Sequence, residues 1–187
     1  MDASDADLIQ QCLHGDNAGF DLLVGRHQKQ VYRFCFGMLG NAEDASDAAQ
    51  ESFIKAYHAL GDFRKDASFV SWMLRIANNA CVDLWRRRTR RQAASVDDEE
   101  SGLADIPSSD PDPETALLGG ESRRLVRDAI GRLPEKHRGA LVMFYVNGMS
   151  IKDMSRALGR PEGTVKSDLH AAREMLRRKL EGVVVEA

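Results

Sequence analysis

The chain has 187 residues, of which 43% are hydrophobic and 29% are charged, and its formal net charge at pH 7 is −3. This length allows one large domain or two small ones. No apolar run approaches the roughly 20 residues that span a bilayer, and the acidic start DASDADL is unlike a signal peptide. We therefore expect a cytoplasmic protein that does not insert into a membrane.

The charge is distributed unevenly along the chain. Residues 1–92 carry twelve basic and twelve acidic side chains, residues 93–120 carry no basic and eight acidic ones, and residues 121–187 carry fourteen basic and nine acidic ones. A neutral block, an acidic strip and a basic block indicate two domains joined by a linker. A nucleic-acid partner is compatible with the slightly acidic total, because the electrostatic footprint of such a protein is local.

The sequence carries no pattern typical of a metal or catalytic centre. Its three cysteines, Cys12, Cys35 and Cys81, lack Cys-x-x-Cys spacing, which fits a reducing compartment where each acts as a small hydrophobic side chain. A His/Cys cluster, a Ser/His/Asp order and a phosphate-binding glycine loop are also missing. We expect no cofactor, no metal and no enzymatic activity.

The first block begins with three predicted helices. Residues 3–15 form a capped helix, with Ser4 as the N-cap and Asp7 three residues later. An amphipathic helix follows over residues 17–39. Residues 43–60 form a third helix, whose small and apolar side chains pack inward. Its opposite face is polar and carries Asp44, Asp47, Gln50 and Glu51. By pattern alone, that face is also compatible with simple exposure to solvent.

A fourth helix is predicted over residues 69–91. At steps of about 100° per residue, Arg75, Asn79 and Arg86 share one face. Trp85 lies beside them and fits either base stacking or half-buried packing. Cations at a helix C-terminus are favourable, but a dense cluster is costly unless a polyanion lies nearby. The cluster consists of Arg86, Arg87, Arg88, Arg90 and Arg91.

Residues 92–119 are rich in Ser, Asp, Glu, Pro and Gly. A segment of this composition cannot bury enough apolar surface to fold alone, so we predict a flexible linker.

The second block ends in two predicted helices joined by a tight turn. Ser150 is a good N-cap, and Gly159 is placed to end the first of these helices in a left-handed conformation. In the second helix, an apolar stripe recurs at helical spacing. The stripe consists of Val165, Leu169, Ala172 and Leu176. The opposite face is polar and partly basic, as in a helix-turn-helix that presents a recognition helix to the major groove. A plain packing hairpin fits the same pattern.

A resemblance to a known family favours the helix-turn-helix over the packing hairpin. The run LPEKHRGALVMFYVNGMSIKDMSRALGRPEGTVKSDLHAARE resembles the C-terminal domain of bacterial sigma factors of the extracytoplasmic-function group. DASDAAQESF, over residues 44–53, and FVSWMLRIANN, over residues 69–79, resemble two segments of the N-terminal, promoter-melting domain of the same family. The resemblance covers roughly residues 4–180 in the order of the family. It implies an all-α protein with domains at residues 1–91 and 120–181, joined by the linker at 92–119.

The resemblance also implies the site residues and the partners. Core RNA polymerase would bind Asp44, Asp47, Gln50 and Glu51. The −10 promoter element would be read and opened by Asp62, Phe63, Arg64, Lys65, Arg75, Asn79, Arg86 and Arg87. The −35 element would contact Thr164, Lys166, Ser167, His170 and Arg173. The family also implies a linker that threads the polymerase, an anti-sigma factor as a further partner, and association with the nucleoid in the holoenzyme.

The sequence departs from the family pattern at three positions. Ser46 stands where Glu is usual, which weakens the implied docking contact. Asp168 and Ala171 stand where Arg is common. Because an aspartate near phosphates is repulsive, we expect an unusual −35 preference or weak upstream binding.

Two other functions remain open at this stage. The first is a transcription regulator that binds duplex DNA alone through residues 134–178. The second is a helical adaptor without a role at DNA. Binding to core polymerase and binding to free duplex DNA separate the three hypotheses.

Overall fold

The computed structural model describes residues 3–63, 68–94 and 124–184, and every regular element in these ranges is helical. The all-α prediction is therefore confirmed. The first helices are α1 (Asp5–Leu13), α2 (Ala18–Leu39), α3 (Ala42–His58), a 3₁₀ turn (Leu60–Asp62) and α4 (Phe69–Ala94). The others are α5 (124–131), α6 (Glu135–Leu141), a π-helical turn (Val142–Val146), α7 (Ile151–Leu158) and α8 (Glu162–Val184).

Side-chain caps set where several helices begin. The Ser4 hydroxyl accepts a hydrogen bond from the Asp7 amide at 3.2 Å, and the Asp7 carboxylate accepts one from the Ser4 amide at 3.0 Å. This capping box holds the pKa of the Asp7 carboxyl below its usual value through the hydrogen bonds from Ser4. The Ser150 hydroxyl likewise accepts from the Asp153 amide at 3.1 Å. Both predicted N-caps are confirmed.

Two helices end where a residue without a side chain allows a left-handed backbone. Gly40 closes α2 with a φ of 79°, and Gly159 closes α7 with a φ of 61°. A residue with a Cβ atom is strained in this region, whereas glycine is not. The tight turn between α7 and α8 therefore depends on Gly159, as the sequence predicted.

Helices α1–α4 form the N-terminal lobe. Helix α2 packs against α1, α3 and α4, and α3 packs against α4. The side chains at the centre of this bundle are fully buried and apolar, which supplies the main favourable term in its stability. They include Leu8, Leu23, Phe34, Met73 and Leu74. Helix α4 continues to Ala94, three residues beyond the predicted end. The remainder of the predicted linker lies outside the described residues.

Helices α5–α8 form the C-terminal lobe. Helix α8 packs against α6 and α7. Val165, Leu169 and Ala172 are buried on one side of α8, so the predicted apolar stripe is confirmed there. The π-helical turn after α6 was not predicted. It keeps Val142 and Met143 buried while Tyr145 and Val146 are exposed.

The two lobes pack against each other and share one continuous apolar core. Helix α7 lies against α4, and the π-helical turn lies against α2. The Arg138 guanidinium donates a hydrogen bond to the Met38 carbonyl across this interface, at 2.8 Å. The sequence predicted two domains and did not predict this contact between them.

Candidate nucleic-acid interface

The outward face of α8 is the first candidate surface. Lys166, Ser167 and His170 are exposed on it, opposite the buried stripe. Thr164 is also exposed, one turn nearer the start of the helix. Lys166 supplies a cation for phosphates, whereas the Ser167 and His170 side chains offer hydrogen-bonding groups of the kind that contact base edges or phosphates. These are the side-chain groups that a recognition helix is expected to present to DNA.

Arg173 lies at the flank of that face and already has partners within the lobe. Its guanidinium carbon is 5.6 Å from the ring centroid of Phe144 and 5.5 Å from that of Tyr145. Both distances are in the range of a cation–π interaction. Contact of Arg173 with DNA would therefore compete with its position over these two rings.

Asp168 is buried within the C-terminal lobe. Its side chain is only 9% exposed and points away from the outward face of α8. The carboxylate accepts a hydrogen bond from Arg160 at 3.0 Å, and Lys136 and His137 approach its other oxygen at 4.0 and 3.6 Å. The charge of Asp168 is therefore compensated within the lobe, and the expected effect of this residue on −35 binding stays a prediction. Asp168 also joins the helix-turn-helix to α6.

The second candidate surface is a stripe on α4. Arg75, Asn79, Arg86 and Arg87 are exposed. Asn79 and Arg86 also line a cleft of about 790 Å³ between the lobes, and the opposite wall comes from the C-terminal lobe. The structure thus brings these side chains of the predicted −10 face together, but it places part of that face opposite α6 and α7.

An ion pair crosses this cleft. The Arg86 guanidinium donates to both carboxylate oxygens of Glu135, at 3.1 and 3.0 Å. The hydrogen bonds that Arg86 donates to Glu135 raise the pKa of Arg86, so the guanidinium is a fixed positive charge. Bidentate geometry of this kind is more specific than a single contact between two charges.

The segment before α4 is described in part. Asp62 is exposed at the end of the 3₁₀ turn. Phe63 is half-buried, with its ring centroid 5.2 Å from that of Trp72 and 6.1 Å from that of Phe69. This aromatic packing gives Phe63 a structural role. The predicted contacts Arg64 and Lys65 lie outside the described residues.

The polar face of α3 is the third candidate surface. Asp47 and Gln50 are exposed, and Glu51 pairs with Lys55 one turn later, at 2.7 Å. Asp44 is held within the lobe, since its carboxylate accepts hydrogen bonds from Asn41 and from Arg88. The face therefore presents two exposed polar side chains, Asp47 and Gln50, and two carboxylates that are already paired with basic side chains, Asp44 and Glu51.

Apolar side chains beside this face were not singled out from the sequence. Ile54 is 53% exposed, on the outward side of α3. A groove between α2 and α3 has Val24, Tyr32 and Phe53 in its walls, next to Gln50. The signal available in the sequence was Ile54, an apolar residue outside the buried stripe of its helix. Protein-binding surfaces often combine an apolar centre with a polar rim.

The part of the chain that the structure describes gives no support for a metal or redox centre. It holds no group of three or more potential metal ligands. Cys35 and Cys81 are fully buried, and a hydrogen bond with Cys35 together with burial raises the pKa of the Cys81 thiol. A protonated, buried thiol is a poor nucleophile. None of the described helices is both long and apolar enough to cross a membrane.

Comparison with known proteins explains why these surfaces occur together. The family model of sigma-70 region 2 matches residues 23–91, and that of sigma-70 region 4 matches residues 123–176. The RNA polymerase sigma-H factor of Pseudomonas aeruginosa is 36% identical, over 98% of this chain and 97% of its own length. The chain belongs to the sigma-70 family of RNA polymerase sigma factors.

Further likenesses refine this assignment. The extracytoplasmic-function sigma factor SigW of Bacillus subtilis is 33% identical, over 92% of this sigma factor and 94% of SigW. The structure of CnrH in complex with the cytosolic domain of CnrY matches with a TM-score of 0.68 and 26% identity, over 97% of this chain and 99% of CnrH. The chain is thus a promoter-directing sigma factor of the extracytoplasmic-function group, as the sequence resemblance implied.

Region 2 covers most of the N-terminal lobe, and region 4 covers most of the C-terminal lobe. The α3 face and the α4 stripe of this sigma factor lie in region 2, whereas the α8 face lies in region 4.

Proposed function

We propose that this sigma factor binds core RNA polymerase through the outward face of α3, opens the −10 element with the α4 stripe and reads the −35 element with α8. The observation that carries this proposal is the arrangement of three exposed polar faces on the two sigma regions of a single chain. The polymerase performs the chemistry, and the sigma factor supplies position and sequence recognition.

The shape of the C-terminal lobe supports the proposed −35 contact. The major groove is about 12 Å wide and admits one α-helix. Helix α8 presents Lys166, Ser167 and His170 outward while α6 and α7 hold its opposite side. Lys166 would bind phosphate, and Ser167 and His170 would lie nearest the base edges.

The −10 contact requires single-stranded bases, because an enzyme-bound duplex must unstack there before RNA synthesis. Asn79 carries a carboxamide that can pair with the edge of an exposed base, and Arg75 and Arg86 carry charges that attract the backbone. The cost of flipping a base is a few kcal/mol, which such contacts must offset.

The polymerase contact combines charge with apolar surface. Asp47 and Glu51 supply negative charge, and Ile54 with the neighbouring groove supplies an apolar centre. Opposite charges on the two partners speed association, whereas the apolar centre contributes to affinity. A partner surface with basic side chains around an apolar helix would fit this arrangement.

We also propose regulation by an anti-sigma factor, and action in the cytoplasm and at the nucleoid. Membership of the family supports this partner, and CnrH, which shares the fold at 26% identity, was solved with a second protein bound.

Reconstitution with core polymerase tests the proposed function. The full-length chain should co-elute with core enzyme and yield run-off transcripts from a subset of a promoter library, with little binding to free duplex DNA. Tight sequence-specific duplex binding without polymerase would instead support a stand-alone regulator. A chain that neither binds core enzyme nor directs transcription would overturn the proposal.

A further inference from the structure

Three basic side chains from two other segments meet the Asp168 carboxylate on the flank of α8. The Arg160 guanidinium donates a hydrogen bond to one carboxylate oxygen at 3.0 Å. Lys136 Nζ lies 4.0 Å and His137 Nδ1 lies 3.6 Å from the other oxygen. Arg160 belongs to the turn of the helix-turn-helix, whereas Lys136 and His137 belong to the first turn of α6. The cluster therefore joins the turn, α6 and the N-terminal part of α8.

The carboxylate at the centre is buried, but the two long cations beside it are not. The side chain of Asp168 is 9% exposed, whereas those of Arg160 and Lys136 are 41% and 56% exposed. A guanidinium has five N–H donors, and the hydrogen bond to Asp168 uses one of those of Arg160. Two cations around one anion also leave a net positive charge at the surface. The cluster can therefore attract and bind a further anion.

Arg160 is fixed at both its backbone and its side chain. The Ser155 hydroxyl donates to the Arg160 carbonyl at 2.6 Å, and the Arg160 amide donates to the Ser155 carbonyl at 3.1 Å. The Asp168 carboxylate then holds the guanidinium at the other end. A long side chain that is already ordered loses less conformational entropy when it meets a ligand than a free one does. Asp168 thus prepares Arg160 for binding.

The spacing along α8 places this cluster beside the face assigned to the −35 element. Residues four positions apart lie on the same side of an α-helix, so Asp168 follows the exposed Thr164 by one turn on one flank. A helix of about 10–12 Å diameter fills a major groove about 12 Å wide, and phosphates line the edges of the groove. When Ser167 and His170 face the base edges, cations on the flank of the helix face the phosphates.

We propose that Asp168 is a positioning residue that holds Arg160 and Lys136 as a phosphate clamp at one edge of the −35 major groove. This inference rests on the proposed −35 role of α8. It gives Asp168 an effect opposite in sign to the repulsion predicted from the sequence, because the carboxylate aids DNA binding through its two cations. Contacts to phosphates set the register and orientation of a recognition helix and leave base recognition to other side chains.

Asp168→Asn separates positioning from repulsion by the sign of its effect. The full-length variant is assembled with core polymerase, and binding to a promoter duplex enriched from the library is followed by fluorescence anisotropy, well below the melting temperature. A carboxylate that only repels phosphates predicts tighter binding by the variant. Loss of a positioned guanidinium predicts binding that is weaker by about threefold to tenfold. Tighter or unchanged binding would overturn the proposal.

The salt dependence of binding counts the phosphate contacts. Arg160→Gln should weaken binding by roughly fivefold to tenfold at low salt, and the slope of log affinity against log salt should fall by about 0.9. Arg178→Gln makes the same charge change at an exposed position of α8, about 16 Å along the helix from Ser167. This control should keep the slope of the unchanged chain. An unchanged slope for Arg160→Gln, or an equal fall in both variants, would refute the clamp.

A double variant tests whether Lys136 belongs to the clamp. Arg160→Gln combined with Lys136→Gln should lower the slope by about 1.8, which corresponds to two lost phosphate contacts. Arg178→Gln combined with Lys179→Gln removes two exposed charges from the far end of α8 and is the matched control. A fall no larger than that of Arg160→Gln alone would remove Lys136 from the assignment.

Coupling between Asp168 and Arg160 distinguishes positioning from a purely structural role. If Asp168 acts through Arg160, Asp168→Asn should weaken binding little further in a chain that already carries Arg160→Gln. A purely structural role would lower the folded fraction, so binding would fall by the same factor at every salt concentration and in both backgrounds. That result would overturn the positioning role. Failure of the proposed function is visible separately, because the unchanged chain would then give no run-off transcripts.

Discussion

At the scale of single residues, surroundings decide what a side chain does. Asp168 occupies a position on α8 where, by the sequence resemblance, a basic side chain is common. Its carboxylate is buried among Arg160, Lys136 and His137. Its charge is compensated inside the lobe, so it stabilises the fold and leaves the outward face of α8 to other residues.

Replacing Asp168 with Asn tests this role. The substitution keeps the shape of the side chain but removes its charge, and we expect a loss of about 1–3 kcal/mol in the free energy of unfolding. For a chain of this size, that loss lowers the melting temperature by roughly 2–12 °C, measured by circular dichroism. Glu174→Gln on the same helix breaks an exposed pair with Arg177 and should change stability by less than about 0.5 kcal/mol. Equal melting temperatures for both variants would contradict the structural role of Asp168.

Asn79 provides the residue-scale test of the α4 stripe. Because its side chain is exposed, Asn79→Ala should leave the fold and polymerase binding intact. Loss of one base contact should slow promoter opening by roughly tenfold to a hundredfold, as followed by permanganate reactivity of unpaired thymines. Gln11→Ala, an exposed substitution on α1, serves as the control. If Asn79→Ala abolishes binding to core polymerase instead, the assignment of this face is wrong.

At the scale of elements, α3 shows how one helix can serve both the core and a partner. Its inward side is lined with alanine, including the fully buried Ala45 and Ala56, which lets α2 and α4 approach closely. Its outward side combines acidic groups with the exposed Ile54. One side of α3 thus packs in the core, and the other side is available to a partner.

Charge reversal on α3 tests the polymerase contact. Asp47→Lys combined with Glu51→Lys should weaken binding to core polymerase by tenfold or more, because attraction becomes repulsion, and the effect should shrink with added salt. Affinity is measured by fluorescence anisotropy of labelled sigma factor. Glu174→Lys combined with Glu181→Lys makes the same change in net charge on the other lobe. An unchanged affinity in the α3 variant would mean that this face is only solvated.

At the scale of the whole molecule, the contact between the lobes combines favourable and unfavourable terms. The chain buries apolar surface between its lobes, which favours their contact. The same interface holds bridging polar groups, such as Arg138, that lose solvation when it forms.

The sequence alone was sufficient to predict the helices, the turn of the helix-turn-helix and the family. Caps such as Ser4 with Asp7, or Ser150 with Asp153, act over three residues, and the apolar stripe of α8 repeats within one helix. Local interactions of this kind depend only on residue type and on spacing along the chain, so they can be predicted without a structure.

Only the tertiary structure decided how the lobes meet and which charged residues are buried. Arg138 bonds a carbonyl a hundred positions earlier in the chain, and Asn147 bonds one that is 117 positions earlier. The burial of Asp168 likewise depends on His137 from another helix. The spacing of residues within one helix cannot predict these contacts. They form between segments that are far apart in the sequence, and they exist only once the whole chain has packed.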